Sequence, residues 1–454
     1  MSEKEPNVQS DFMIEKIKER PVNRGKLVKR MLLTATMAVL FGLIACFTFL
    51  ALEPILNNFM NPPEELPKVY FPEETEEMSP EEMLLESTPS PVETLPPAST
   101  ADPEGQTGTE GETGLSDEDI QKILLEMQLT VGNYRQMYAA LSEYTKSLQK
   151  CMVTITGITS RKDWFDDVNE SANKSAGVII YNNTKELLIL TDFKPLERAQ
   201  RLNVTFCNGA ETTAELKRKD PSTHLAVVSV PIEVLPGGFL DEVIAIARQG
   251  SSNQSNLVGT PVIALGSPMG TMNSAGYGVI TATTGQASDS DANYKLLQTD
   301  ISGSPLASGV LFNLYGQVVG VITSEHSTIG MENLITAYGI TDMKKRMEKL
   351  SNDQPFAYLG IYGTSVNVSI HEELNVPYGA YVRDVVFDSP AMRAGILQGD
   401  LIVKMDETEI SNFSDYMSAI YKRNPDETVR VTILRQTGNG YKEMNMNIIL
   451  GERK

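Results

Sequence analysis

The sequence predicts a mainly β protein, with an exported body at residues 151–454 behind one membrane-spanning helix and an acidic linker. Three observations predict it. From Met152 onward the chain falls into short alternating or wholly apolar runs, such as "MVTITGIT", "ELLILTD" and "LAVVSV". These are broken by Gly, Asn, Asp and Pro, the pattern of barrel or sandwich strands. Met31–Leu52 is 22 residues without a charge, long enough at 1.5 Å per residue to cross about 30 Å of hydrocarbon. Residues 53–119 hold 18 of the 59 acidic residues and 11 of the 24 prolines against one basic residue, Lys68. Such a stretch has too few large apolar groups to offset the entropy of ordering.

Residues 1–30 read as a cytoplasmic tail. Lys16–Arg30 carries seven basic residues and one acidic one, while the far flank of the span is acidic, so the N-terminus stays inside and the rest is exported. The length of chain ahead of the apolar run favours an uncleaved, single-pass anchor in the cell membrane, residues 31–52, over a cleaved signal. Residues 53–115 are a solvated, disordered, proline-rich linker, which accounts for most of the net charge of −20. So acidic a chain is not expected to bind nucleic acid.

Residues 116–150 read as a helix. Ile120, Leu124, Met127, Val131, Tyr134, Tyr138, Leu141, Thr145 and Leu148 recur at alternating spacings of four and three, and Ser116 and Glu118 suit its first turn. Two readings of this heptad seam stand. One is a coiled coil between copies. The other is a single amphipathic helix lying on the neighbouring domain, which Gly132 and the two tyrosines favour. Cys46 falls in the span, leaving Cys151 and Cys207 outside it, and the sequence leaves open whether those two pair.

The strand region then carries a set of motifs in order: "SAGVII", "LLILTDFKP", "KDPSTHLAVVSV", "VIALGSPMG", "GYGVITA", and "LQTDIS" with "LFNLYGQVVGV". Residues 151–349 resemble the protease domain of the HtrA family of trypsin-like serine proteases. The resemblance implies a chymotrypsin-like double β-barrel with a catalytic cleft between the barrels. Residues 352–454, with "YLGI", "DSPAMRAGILQGDLI" and "DETVRVTILR", resemble the PDZ domain that follows it in that family. A PDZ domain adds an extended peptide to a sheet edge, and the backbone N–H groups of Tyr358, Leu359, Gly360 and Ile361 would receive its terminal carboxylate.

Carried onto this chain, the family's triad is degenerate. Its histidine position holds Lys194 and its aspartate position holds His224. Its serine position is Ser308 counted forward from Thr299-Asp300, or Ala307 counted backward from "LFNLYG". With Ser308 as the site, the glycine expected two residues earlier is Leu306 and the second glycine after it is Val310, so the oxyanion loop is altered too. His326 and His371 read as exposed polar residues rather than replacements.

Two functions follow from the resemblance. The first is a membrane-anchored, catalytically inactive homologue that binds exported polypeptides or C-terminal peptides through its PDZ domain, in envelope quality control or scaffolding. The alternative is an active serine endopeptidase with Ser308 as nucleophile and Lys194 as base, which requires burial and the neighbouring His224 to lower the lysine's proton affinity. HtrA proteins are commonly trimers, and the resemblance extends that expectation here. No metal or cofactor is expected.

Overall fold

The computed structural model describes residues 24–60, 67–71, 131–162, 168–326, 333–438 and 440–453. The expected cytoplasmic tail up to residue 23, most of the expected linker and the first half of the expected 116–150 helix lie outside the described residues. Two compact units are present, Met1–Leu66 and Pro67–Lys454.

In the first unit, α1 (Arg24–Met60) is one continuous helix. Its Met31–Phe49 stretch, with mean hydropathy 2.2, is long and apolar enough to cross a membrane.

The second unit begins with a short strap. Val69 and Phe71 are buried even though they belong to the tract expected to be a linker. Val69 exchanges two hydrogen bonds of 2.8 Å with the side-chain amide of Asn352, and Phe71 meets Tyr181 edge to face. Helix α2 (Val131–Leu148) follows. The last turns of its heptad seam are used on the body: Thr145 and Leu148 are buried, and Thr145 Oγ1 lies 3.0 Å from the Tyr277 hydroxyl. Val131 and Tyr134, earlier on the seam, are exposed.

Six strands close the first barrel in the order β1-β2-β3-β6-β5-β4. They are β1 (Met152–Lys162), β2 (Val168–Asn182), β3 (Glu186–Asp192), β4 (Arg201–Thr205), β5 (Glu211–Lys219) and β6 (Leu225–Pro231). Apolar residues on both faces of β3 and β6 are buried: Leu187, Ile189, Ala226 and Val228 lie in the core of this barrel, while Leu188, Leu190, Leu225 and Val227 join a cluster with residues of the second barrel. Each of these Leu, Ile and Val side chains contributes roughly 1.5–3 kcal/mol on burial.

The second barrel comprises β8 (Pro261–Ser267), β9 (Ser274–Asp289), β10 (Ala292–Ser302), β11 (Ser308–Asn313), β12 (Gln317–Thr323) and β13 (Leu334–Gly339). It closes through the β11–β12 pairing, with the two-residue strand β7 (Arg248–Gln249) added beside β12. At the turn into β11 the backbones touch. Gly309 has φ +126°, and a Cβ there would run into the Leu265 carbonyl oxygen, so only glycine fits.

Helix α3 (Ile340–Ser351) carries the chain to the third module. There β14 (Ala357–Tyr358) pairs with β21 (Gly451–Glu452). A second sheet runs β15-β16-β17-β19-β20, from Ile361–Ser365 at one edge, through Ala380–Val385, Leu401–Met405 and Thr428–Thr437, to Gly440–Ile449, with the short β18 (Thr408–Glu409) paired to β17. Helix α4 (Phe413–Tyr421) packs its Phe413, Tyr416, Ala419 and Ile420 into that core. This is the mainly β architecture expected: two closed six-stranded barrels and a PDZ-like domain.

A buried polar knot joins the modules. Arg346 of α3, 1% exposed, is ion-paired with Asp220 and donates to the Tyr421 hydroxyl at 3.0 Å. Its guanidinium lies 5.0 Å from the Tyr294 ring centroid and 5.2 Å from that of Phe356. Burial pushes the Asp220 carboxyl upward. Arg346, the Thr223 hydroxyl and Arg453 together more than reverse this, so it sits below the usual range.

Candidate functional site

Two candidate sites lie in the second unit, the cleft between the barrels and the groove of the third module. In the cleft, Lys194 opens the turn after β3, where its N–H donates to Asp192 Oδ1 at 2.9 Å. His224 sits just before β6 in a left-handed conformation, φ +56°. Its carbonyl accepts from the Phe193 N–H at 2.7 Å, which fixes the two loops side by side. Glu325, just after β12, ion-pairs with Lys194 Nζ and stands 4.0 Å from His224 Nε2. Glu197 stands 3.7 Å from His224 Nδ1.

The lysine side chain is 53% exposed. Its hydrogen bond to Glu325 is the main reason its pKa rises above the ordinary lysine value. This reverses the expectation of a lysine with lowered proton affinity: the residue facing it is an acid on the second barrel, and burial is too slight to compete.

The nucleophile segment has its polar groups engaged elsewhere. Ser308 is 2% exposed, and its Oγ accepts from the Ala176 N–H of β2 at 3.1 Å. Ala307, the alternative serine position, is also buried. The preceding turn satisfies its own backbone. Leu306 N–H donates to Ser304 Oγ at 3.2 Å, and Ala307 N–H to the Ser304 carbonyl at 2.9 Å. If Ser308 is the site, the donor two residues earlier is therefore already committed. If Ala307 is the site, that position is Pro305, which has no N–H.

His326 is half-buried with its ring 5.7 Å from that of Tyr338, and burial lowers its pKa. His371 stacks on Tyr378 at 4.0 Å. Neither histidine is the free surface residue expected.

In the third module, Tyr358 ends β14, Leu359 and Gly360 form the loop, and Ile361 begins β15. Gly360 has φ +91°, and a Cβ there would collide with Ser389 Cβ. This conformation turns successive N–H groups toward one point, and a carboxylate lies there. Asp291, at the tip of the β9–β10 hairpin and 3% exposed, accepts from Leu359 N–H at 2.8 Å, from Gly360 N–H at 2.8 and 3.0 Å, and from Ile361 N–H at 3.0 Å. The Tyr416 hydroxyl of α4 donates to the same carboxylate at 2.5 Å.

Comparison with known proteins agrees with both modules. Residues 175–321 match the trypsin-like peptidase domain family, and residues 346–450 match the PDZ domain family. The chain is similar to serine proteases of the HtrA type. It is 27% identical over 329 residues to "Serine protease Do-like HtrA" of Lactococcus lactis subsp. lactis (strain IL1403), covering 68% of this chain and 76% of that protein. To "Serine protease Do-like HtrA" of Bacillus subtilis (strain 168) it is 27% identical over 353 residues, 69% of this chain and 73% of that one. Among solved structures, "HtrA-type protease AlgWS227A with decapeptide" superposes with TM-score 0.50 at 22% identity, over 69% of this chain and 97% of that one. That likeness concerns the fold.

Lys194 and His224, singled out in the sequence, lie in adjacent loops, and of the four residues expected to donate, Leu359, Gly360 and Ile361 share one acceptor while Tyr358 N–H is not among its donors. Sequence reasoning missed Glu325 and Asp291. A carboxylate after "VITS" or at the tip of "SDSDANY" looks like any solvated residue, because both depend on which module folds against which.

Proposed function

We propose that this chain is a membrane-anchored, non-catalytic HtrA-like protein that works by holding polypeptides, with the barrels serving as a scaffold for the PDZ groove. The observation that carries the reading is the Ser308 hydroxyl, buried and accepting a backbone hydrogen bond from Ala176. A serine nucleophile needs a base to take its proton and free N–H donors around the developing oxyanion. Here the side chain at the base position is an ammonium held by Glu325, and the donors of the 304–307 turn are committed. The same facts weigh against the Ser308/Lys194 endopeptidase, since a base must be neutral and Lys194 is shifted the other way. α1 supports the anchor, with the PDZ domain outside the membrane. The decapeptide held by the AlgW protease supports an extended peptide as the ligand class.

The test is a fluorophosphonate probe with parallel casein digestion on the full chain in detergent. No labelling and no digestion are expected, and Ser308→Ala should behave identically. Labelling that vanishes in Ser308→Ala, with turnover rising as pH is raised toward the lysine's own titration, would establish the endopeptidase instead.

A further inference from the structure

The donor loop of the PDZ groove is already filled, and the occupant belongs to the same chain. Three consecutive N–H groups and a tyrosine hydroxyl converge on the Asp291 carboxylate. The contact continues along the strand edge. Asp291 N–H donates to the Ile361 carbonyl at 2.7 Å, Asn293 Nδ2 to the Gly363 carbonyl at 2.9 Å, and Asn293 N–H reaches Met417 Sδ of α4 at 3.4 Å. A carboxylate in the N–H loop, main-chain bonding to the β15 edge and contact with α4 are the elements by which an added peptide would be held. Nor is the placement accidental to a flexible tip. Asp291 holds a left-handed φ of +59°. Arg453 clamps the residues before it, donating to Asp289 Oδ2 at 2.9 Å and to Ser290 Oγ at 3.1 Å.

We infer that the hairpin tip Ser290–Asn293 is a built-in ligand of the PDZ groove, with the Asp291 side chain standing in for a peptide's terminal carboxylate, so that an external C-terminal peptide binds only by displacing it. A tethered competitor acts at an effective concentration in the millimolar range. The apparent affinity for an outside peptide is reduced by the fraction of time the groove stands open. The hairpin belongs to the second barrel, at the β9–β10 turn, so peptide capture is coupled to release of the peptidase domain from the groove. The competition part rests on the peptide-holding reading above; the internal occupancy does not.

The test compares the full chain in detergent with Asp291→Asn, which tolerates the left-handed backbone but loses the charge and one acceptor. Asp291→Gly serves as a second variant for the same conformation. Hydrogen–deuterium exchange of segment 357–362 reports occupancy. A fluorescent octapeptide ending in three apolar residues, as free acid and as C-terminal amide, reports competition. Exchange at 357–362 should accelerate at least tenfold in both variants, with free-acid peptide binding at least tenfold tighter and the amide not bound. Saturating the unaltered chain with the free acid should speed exchange at 289–293. If exchange and affinity match the unaltered chain in both variants, Asp291 is not the occupant and the inference fails. If exchange accelerates but neither peptide binds any form, the internal ligand stands and the peptide-holding function fails.

Discussion

The peptidase cleft and the PDZ groove face opposite fates within one folded unit. In the cleft the polar groups have nearby partners: Lys194 pairs with Glu325, Ser308 accepts from Ala176, and the 304–307 turn uses Ser304 for its own N–H groups. In the groove the donors cannot satisfy one another, because Gly360 aims successive N–H groups to the same side, and one buried carboxylate answers them all. The difference teaches that backbone geometry which forbids local satisfaction leaves donors that only a group from elsewhere in the fold can answer. Where side chains line a site, each can be answered by a neighbour, as Glu325 answers Lys194.

The largest expected effect comes from the knot beneath both regions. Asp220→Ala leaves the Arg346 guanidinium buried without its counter-charge, and breaking such a pair costs about 3–5 kcal/mol. Exchange should rise together at 193–197 and 357–362, and the thermal transition should fall steeply. Substituting both partners, Asp220→Asn with Arg346→Met, should recover much of the loss. The folded pKa of Asp220 lies below the usual value, so its stabilisation is fully present above pH of about 4 and is lost as pH falls further through the folded value. A transition whose acid sensitivity survives Asp220→Asn would remove this pair as its source.

Gly360→Ala should affect the groove alone. The added methyl meets Ser389 Cβ and demands a left-handed backbone, at a cost of roughly 1–3 kcal/mol. Faster exchange confined to 357–362, with the cleft segment 193–197 unchanged, is the expected pattern. Equal acceleration in both segments would mean that the two regions are one cooperative unit.

How much of this was legible depended on whether a feature was local. Strand alternation is short-range, so a mainly β body could be read directly, while the two barrels and the PDZ domain were legible through the family resemblance that the ordered motifs carry. The heptad seam was half legible: Thr145 and Leu148 face the body while Val131 and Tyr134 stay exposed, a division no periodicity encodes. Composition marked Val69 and Phe71 as linker, because the Asn352 amide that holds Val69 lies 283 residues away. Glu325 and Asp291 were invisible for the same reason.

The smallest expected effect is also the sharpest test of the contrast. Lys194→His with His224→Asp puts a base and an orienting acid in the loops that the Phe193–His224 backbone bond already places side by side. Were the base the sole loss, hydrolysis dependent on Ser308 would return. None is expected above background, and the fluorophosphonate should still fail to label Ser308. The hydroxyl remains buried against Ala176, and neither count of the serine position supplies two free oxyanion donors, since Leu306 N–H is held by Ser304 and Pro305 has none. One missing donor alone costs roughly 10²–10³ in rate. If Ser308-dependent turnover nevertheless appears, the serine loop must rearrange readily, and the cleft is then like the groove: an intact site held shut by one displaceable contact.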